Sequence, residues 1–189
     1  MQTSVRRAEP ADARIIADFN LRLAAETEGL CLEPARVHAG VAALLRDPAK
    51  GTYFVAEAKG AIIGQAMITT EWSDWRNANI WWLQSVYVRP ESRRRGVFRA
   101  LFNHLRRLAR ARRDVCCLRL YMQADNAPAR RTYERLGLKP TGYEVLELEL
   151  GRKGRGSRSK VQAPKTGNRS SKFAVRGSKP KVSNPETSY

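Results

Sequence analysis

A short basic turn with one glycine lies between an apolar segment and an amphipathic helix. The turn contains Arg93, Arg94, Arg95 and Gly96. The first N–H groups of a helix have no intrahelical acceptor and lie at the positive end of its dipole, so such a turn can bind phosphate. Glycine permits close approach of the backbone, and guanidinium groups pair with phosphate oxygens. The turn therefore predicts a phosphate or pyrophosphate site, although ordinary strand–helix junctions also carry such sequences.

A second segment, residues 126–138, carries polar and aromatic side chains at helical spacing. Asn126 can cap a helix, Pro128 suits its first turn, and Gly137 suits its end. The spacing from Asn126 to Tyr133 puts both side chains on one helical face, about two turns apart. The segment is therefore predicted to be a short capped helix.

Together, the two segments resemble the motifs of the GCN5-related N-acetyltransferase (GNAT) superfamily. The basic turn matches that family's acyl-CoA pyrophosphate motif, Q/R-x-x-G-x-G/A, with Arg93 and Gly96 in register. Phe98 stands where the family usually has Gly or Ala, and its N–H can still bind phosphate if the ring turns into the core. The second segment matches N-x-x-A-x-x-x-Y-E-x-x-G-F through Asn126, Ala129, Tyr133, Glu134 and Gly137, with Leu138 replacing the phenylalanine.

The resemblance implies acetyl-CoA as a co-substrate and implies no metal. In this family the pantetheine arm pairs with the strand that enters the turn, where that strand splays from its neighbour. Asn126 would bind the arm and the Tyr133 hydroxyl would protonate the departing thiolate; alternatively, Asn126 is only a cap and Tyr133 a half-buried aromatic. The implied cofactor-binding residues are Val86, Tyr87, Val88, Arg93, Arg94, Arg95, Gly96, Val97, Phe98, Arg99 and Asn126.

The group that would take a proton from an acceptor amine is less clearly marked. An amine with a pKa of about 10 benefits from a general base. Family members often have a glutamate in the strand before the turn, but the corresponding residue here is Gln84, which cannot ionise and could instead position a water or the acceptor. Glu71 is one candidate base, and Glu26 and Glu28 are others; each is equally explained as a solvated carboxylate. The candidate catalytic residues are thus Tyr133, Glu71 and Gln84.

Four tryptophans, Trp72, Trp75, Trp81 and Trp82, cluster in one part of the sequence. Alternation along a strand puts Trp81 and Trp82 on opposite faces, so one packs in the core and the other faces a groove or a neighbouring subunit. A rim of tryptophans and carboxylates suits an amine with an apolar body. Packing and a homodimer contact explain the cluster equally well.

The hydrophobic patterns predict strands and helices in the order that the GNAT resemblance implies. The resemblance implies an α/β (α+β) fold with a mixed, mostly antiparallel central sheet flanked by helices. The resemblance implies that the sheet is splayed between the strands at residues 83–88 and 115–122. Strands are predicted at residues 4–8, 52–58, 61–72, 79–88, 115–122 and 143–150, and helices at residues 11–26, 34–46, 97–112 and 127–136.

Composition predicts a soluble, cytoplasmic protein. With 189 residues, 42% of them hydrophobic, the chain can bury a sizeable core, and it has neither a membrane-spanning run nor an apolar signal-peptide core. Cys31, Cys116 and Cys117 show no metal-ligand spacing. Because adjacent strand residues point to opposite faces, we expect buried, reduced thiols that do not pair.

The sequence divides into a catalytic-type domain, residues 1–150, and a basic tail, residues 151–189. The tail carries 11 Lys and Arg residues against the single Glu186 and few large apolar residues, which predicts disorder. Dispersed positive charge could attract nucleic acid or an anionic membrane surface non-specifically, or have no function.

Two functions follow from these patterns. The leading hypothesis is an acyl-CoA-dependent N-acyltransferase that transfers acetyl from acetyl-CoA to a primary amine of a small molecule or a peptide by direct attack in a ternary complex. The alternative is a non-catalytic acyl-CoA-binding module, or one tethered to nucleic acid by its tail. The acceptor and the acyl-chain length stay open.

Overall fold

The computed structural model of the chain describes residues 2–123, 125–148 and 150. Within them, five strands form one sheet: β1 (Ser4–Arg7), β2 (Thr52–Ala58), β3 (Ala61–Ser73), β4 (Ala78–Val88) and β5 (Val115–Leu120). The α-helices are α1 (Ala13–Glu28), α2 (Pro34–Arg46), α3 (Val97–Arg110) and α4 (Ala127–Arg135). The strands lie in sequence order; β1 to β4 are antiparallel to their neighbours and β5 is parallel to β4. The predicted mixed, mostly antiparallel sheet is confirmed.

The two faces of the sheet carry different helices. α3 packs on one of them, here called the α3 face, and α1 and α2 pack on the other, the α1–α2 face. Apolar residues at helical spacing bury the α3 contact, as the sequence predicted. Its core residues include Val97, Leu101, Leu105, Phe54, Ala66, Ile68 and Leu83. The core on the α1–α2 face consists of Ile16, Ala17, Val41, Tyr53 and Val55.

β4 and β5 separate part-way along their length. They pair as far as Leu83 and Leu120, whereas β4 runs on to Val88 with β3 as its remaining partner. Beyond Leu83, a gap therefore opens through the sheet and connects its two faces. The splay implied between these strands is confirmed.

A β-bulge in β4 lies where the strands separate. Gln65 pairs with Tyr87 but Met67 pairs with Gln84, so β4 has one extra residue there. Ser85 in the bulge has a left-handed φ of 47°. The buried Gln65 amide supports it by donating to the Ser85 carbonyl over 3.3 Å.

The predicted strand at residues 143–150 is wrong. Residues 143–148 and 150 have no regular secondary structure, and their large apolar side chains are exposed. A strand requires a partner for its backbone groups, and the alternation that suggested this one breaks at Val145 and Leu146.

The expectation of buried thiols is also wrong. Cys31 and Cys116 are exposed and Cys117 is half-buried. Cys31 lies in the loop between α1 and α2, and the other two lie on β5, a strand that no described residue pairs on its outer edge.

Within the described residues, no helix is both long and apolar enough to cross a membrane. The predicted tail, residues 151–189, lies outside the described residues.

Candidate active site

The basic turn joins β4 to α3 through a 3-10 turn at Pro90–Ser92. Gly96 is the N-cap of α3, with a left-handed φ of 84°, and Arg94 is also left-handed, with a φ of 60°. A left-handed residue that is not glycine costs roughly 1 to 2 kcal/mol. The fold thus holds the turn in a conformation that an isolated chain would disfavour.

The N–H groups of this turn form a continuous row of unused donors. The Arg93 N–H donates to the Pro90 carbonyl over 3.2 Å, and the Ala100 N–H donates to the Gly96 carbonyl over 2.9 Å. Between them, the six N–H groups from Arg94 to Arg99 have no backbone or side-chain acceptor in the described part of the chain. A Cβ built on Gly96 would meet nothing within 4 Å. These residues fit a phosphate or pyrophosphate group.

A cleft of about 740 Å³ opens beside the turn, between the end of β4 and α4. That volume accommodates a ligand of drug-like size. Of the residues singled out in the sequence, those lining the cleft are Val86, Val88, Arg93, Arg94, Gly96, Val97, Phe98, Arg99 and Tyr133. The structure therefore brings the turn and Tyr133 to one cavity.

Phe98 and Tyr133 form the contact between α3 and α4. Their rings meet edge-on, with centroids 5.5 Å apart and planes at 72°. The Phe98 ring also lies 6.1 Å from the Phe102 ring and packs against the core of the α3 face. The ring therefore packs between α3, α4 and the core. The Phe98 N–H, in the first turn of α3, is one of the six without an acceptor in the described part of the chain.

Tyr133 is half-buried on α4 and is one of the residues that line the cleft. Burial raises the pKa of this phenol above its ordinary value. The hydroxyl therefore keeps its proton through the neutral range and can give it to a stronger base.

Tyr87, Glu26 and Arg95 were also singled out in the sequence but do not line the cleft. The Tyr87 hydroxyl donates to Glu26 over 2.8 Å on the α1–α2 face. Arg93 donates through Nε to the Val88 carbonyl over 2.9 Å and forms an ion pair with Glu26. This hydrogen bond from Arg93 holds the pKa of Glu26 below its usual value. Arg95 is exposed and does not line the cleft.

Gln84 and Glu71 lie together on the α1–α2 face, on the side of the sheet opposite α3. The Gln84 amide nitrogen donates to the Thr69 hydroxyl over 2.7 Å, which leaves its oxygen available to another donor. Glu71, two residues further along β3, accepts from the Trp82 indole and lies 3.9 Å from Arg119. Both side chains therefore lie on one face of the sheet. Gln84 follows Leu83, where the β4–β5 gap opens, whereas Glu71 lies beside the part of β4 that is still paired with β5.

The tryptophans divide between the faces as the alternation predicts. Trp81 packs against the core of the α3 face. Trp82 stacks on Tyr121, with centroids 4.3 Å apart, and Arg119 lies over its ring at 5.7 Å. Protein groups therefore already occupy the cation–π position on Trp82. Trp75 is 91% exposed in the loop after β3.

Comparisons with known proteins agree with this geometry. The profile of the Acetyltransferase (GNAT) family matches residues 19–138, well over half of the chain. The chain belongs to this family. No curated protein matches the chain.

Solved structures extend the GNAT assignment. A possible acetyltransferase from Clostridium difficile 630 is 40% identical, with a TM-score of 0.75 over 80% of this chain and 100% of that one. A predicted acetyltransferase with acetyl-CoA from Clostridium acetobutylicum is 20% identical, with a TM-score of 0.62 over 78% and 96%. A ribosomal-protein-alanine N-acetyltransferase from Brucella melitensis biovar Abortus 2308 is 18% identical, with a TM-score of 0.65 over 79% and 100%. The last two share the GNAT fold alone.

Asn126 caps α4 in this GNAT chain. Its side-chain oxygen accepts from the Ala129 N–H over 3.1 Å, and Asn126 does not line the cleft. Ala129 of the second motif also lines the cleft, together with Thr132 and Leu136, which sequence reasoning missed. Their spacing from Tyr133 puts all of them on one face of α4, so helical periodicity could have identified them. The Glu26 contacts join segments far apart in sequence and had no local signal.

Proposed function

We propose that this protein transfers the acetyl group of acetyl-CoA to a primary amine by direct attack in a ternary complex. The observation that carries the proposal is the row of six unused N–H groups, Arg94 to Arg99, at a cleft that also contains Tyr133. Membership of the GNAT family supports the reaction class. The acetyl-CoA in one structure of the same fold supports the donor.

The residues of this chain would hold acetyl-CoA at two places. The N–H groups of the turn would bind the pyrophosphate, with Arg94 and Arg99 adding positive charge at the cleft wall. Beyond Leu83 the edge of β4 facing β5 has no strand partner among the described residues, so backbone groups from Val86 to Val88 are available to the pantetheine arm. The Asn126 oxygen is committed to its cap, which leaves its NH₂ group for the arm. Acetyl-CoA supplies an activated thioester.

The acceptor amine would approach from the α1–α2 face, through the gap between β4 and β5. Gln84 lies at this gap, and its amide oxygen can accept from an amine N–H and orient the nitrogen lone pair. Glu71 is the carboxylate on the same face and would take the amine proton, directly or through a water.

Transfer then balances without a redox step. An N–C bond forms and the C–S bond of the thioester breaks. The proton lost by the amine passes towards Glu71, and the Tyr133 hydroxyl gives its proton to the departing sulfur. Its raised pKa keeps the hydroxyl protonated at neutral pH, so the proton is present when the thiolate forms.

The test is thiol release from acetyl-CoA with a panel of small primary amines, lysine peptides and peptides that begin with alanine. We expect release that depends on one class of amine. Tyr133→Phe should lower kcat about 100-fold, the lower range for loss of a general acid, and change the KM for acetyl-CoA only a few-fold. Tyr143→Phe is the matched control, because Tyr143 is 76% exposed and lies outside this cleft.

Full turnover of Tyr133→Phe would exclude Tyr133 as the acid. Saturable acetyl-CoA binding without release for any amine would favour the non-catalytic acyl-CoA-binding module over a transferase.

A further inference from the structure

A second β-bulge brings two cysteines of β5 together. Asn79 pairs with Val115, but the next residue, Ile80, pairs with Cys117, so Cys116 is an extra residue in β5. In a regular strand the two side chains would point to opposite faces. Here the sulfur atoms lie 3.8 Å apart, and the Cys116 thiol donates to the Asn79 carbonyl over 3.3 Å. The two thiols are free, as expected, but the premise that their side chains point to opposite faces does not hold at this bulge.

The surroundings of the pair are cationic and accessible. Arg76, in the loop between β3 and β4, donates to the Cys117 sulfur over 3.3 Å. Burial raises the pKa of the Cys117 thiol, whereas Arg76 and Arg119 oppose that increase. Cys116 is exposed, so a small reagent can reach the pair from solvent.

The donor set limits which ligand can bind. Among the described residues, no group of three or more His, Cys, Asp or Glu side chains could hold a metal ion. This part of the structure therefore offers too few side chains for ions that require three or four protein ligands. A soft centre that accepts two sulfurs and already carries its third substituent needs only these two thiols.

We propose that Cys116 and Cys117 form a dithiol site for trivalent organoarsenicals, separate from the acetyl-transfer cleft. In the reaction with an arsenical that carries one organic group and two hydroxyls, two As–S bonds form and two As–O bonds break. Each thiol proton leaves with a hydroxyl as water. Arsenic stays trivalent, so the step needs neither an oxidant nor a reductant.

Phenylarsine oxide is the probe, added to the reduced, folded, full-length protein in excess glutathione. Its oxide oxygen leaves as one water with the two thiol protons. Native mass spectrometry should show one phenylarsenic group per chain, because a second tethered thiol adds about 100-fold or more in affinity over a single one. Cys116→Ser and Cys117→Ser should each bind phenylarsine oxide about 100-fold more weakly or worse, because only one thiol of the pair remains. Cys31→Ser is the matched control and should bind as the wild-type protein does, since Cys31 lies in the loop between α1 and α2 and not on β5.

Three results would overturn the proposal. These are no adduct in glutathione, an adduct that persists in the double variant C116S/C117S, or wild-type affinity in either single β5 variant. Circular dichroism of each variant checks that loss of binding does not reflect unfolding, and Cys116→Ala provides a second variant at the exposed position.

Discussion

Gly96 lies where the basic turn enters α3, and it has two properties that other residues would lack. Its left-handed φ suits glycine, and the space beside its Cα is open. Sequence reasoning identified it as a point of close approach for a phosphate. A second left-handed glycine, Gly60, does not line the cleft, so it can serve as a reference for the cost of the backbone conformation alone.

Gly96→Ala should raise the KM for acetyl-CoA about 10-fold or more, because a methyl group would occupy space beside the unused N–H groups. It should also lower the free energy of unfolding by about 1 kcal/mol, the cost of a left-handed alanine. The control is Gly60→Ala in the β2–β3 turn, where φ is 75° and nothing lies within 4 Å of an added Cβ.

Steady-state kinetics and urea unfolding of both variants separate the two effects. Gly60→Ala should match the stability loss and leave KM unchanged. An equal KM for Gly96→Ala and the wild-type protein would argue against phosphate binding at this turn.

At the scale of elements, local patterns predicted much of the fold. The amphipathic character of α3 and the two strands that the Lys59–Gly60 turn connects were predicted, and the helices begin and end within about two residues of expectation. The turn residues have φ values of 51° and 75°, the left-handed pair that a tight two-residue hairpin requires. These features depend on residues that are close in sequence, so the amino-acid sequence alone is enough to predict them.

Features that depend on distant segments were not predicted. The bulges at Ser85 and Cys116 arise from strand register, and the missing strand at residues 143–150 depended on a partner. In the candidate site, the motif residues of the turn and Tyr133 meet as the resemblance implied, whereas the Glu26–Arg93 pair joins residues 67 positions apart. The hydrophobic periodicity that predicts helices and strands carries no information about such a contact.

The contact between α3 and α4 should depend on Phe98. Phe98→Ala removes the edge-on ring contact with Tyr133 and part of the packing on the α3 face. We expect the free energy of unfolding to fall by about 2 kcal/mol, less than for a fully buried phenylalanine. Phe98→Leu, which keeps most of the apolar volume, should lose less than half as much.

Urea unfolding measures both Phe98 variants. The Tyr133 pKa, followed by NMR of labelled tyrosine, should fall towards its ordinary value in Phe98→Ala as water reaches the phenol. Unchanged stability together with an unchanged pKa would show that the rings do not support one another.

The junction of β1 with the following 3-10 turn should be sensitive to acid. Buried Asp12 accepts two hydrogen bonds from Arg6, at 2.7 and 3.0 Å, and one from the Glu9 N–H. The bonds from Arg6 lower the pKa of Asp12. A lowered folded-state pKa stabilises the fold above the unfolded value of about 4, and that stabilisation disappears as pH falls through the folded value.

Asp12→Asn should therefore lower the free energy of unfolding by about 2 kcal/mol at pH 7, allowing for the partial exposure of Arg6. The difference from the wild-type protein should shrink below about pH 4. Glu33→Gln, which breaks an exposed pair with Arg36, is the control and should have little effect at either pH. Urea unfolding across this pH range is the measurement, and a difference independent of pH would contradict the assignment to Asp12 ionisation.

At the scale of the molecule, the sheet separates two tasks. The turn and Tyr133 lie with α3 and α4, whereas Gln84 and Glu71 lie on the α1–α2 face. In the proposed transfer, the β4–β5 gap would be the route between them, so the motifs of the turn bear on the donor and not on the acceptor. For the tail, which has 11 of the chain's 35 Lys and Arg residues, the prediction is still either non-specific contact with anions or no function.

The most direct test of the account is an NMR titration of the ¹⁵N-labelled protein with acetyl-CoA. The backbone amide resonances of Arg94 to Arg99 should shift together and saturate at one equivalent, because these N–H groups would gain acceptors that the described chain does not provide. The resonance of Gly60, which does not line the cleft, should not move. Saturable binding of acetyl-CoA that leaves the six amide resonances unchanged would contradict the account.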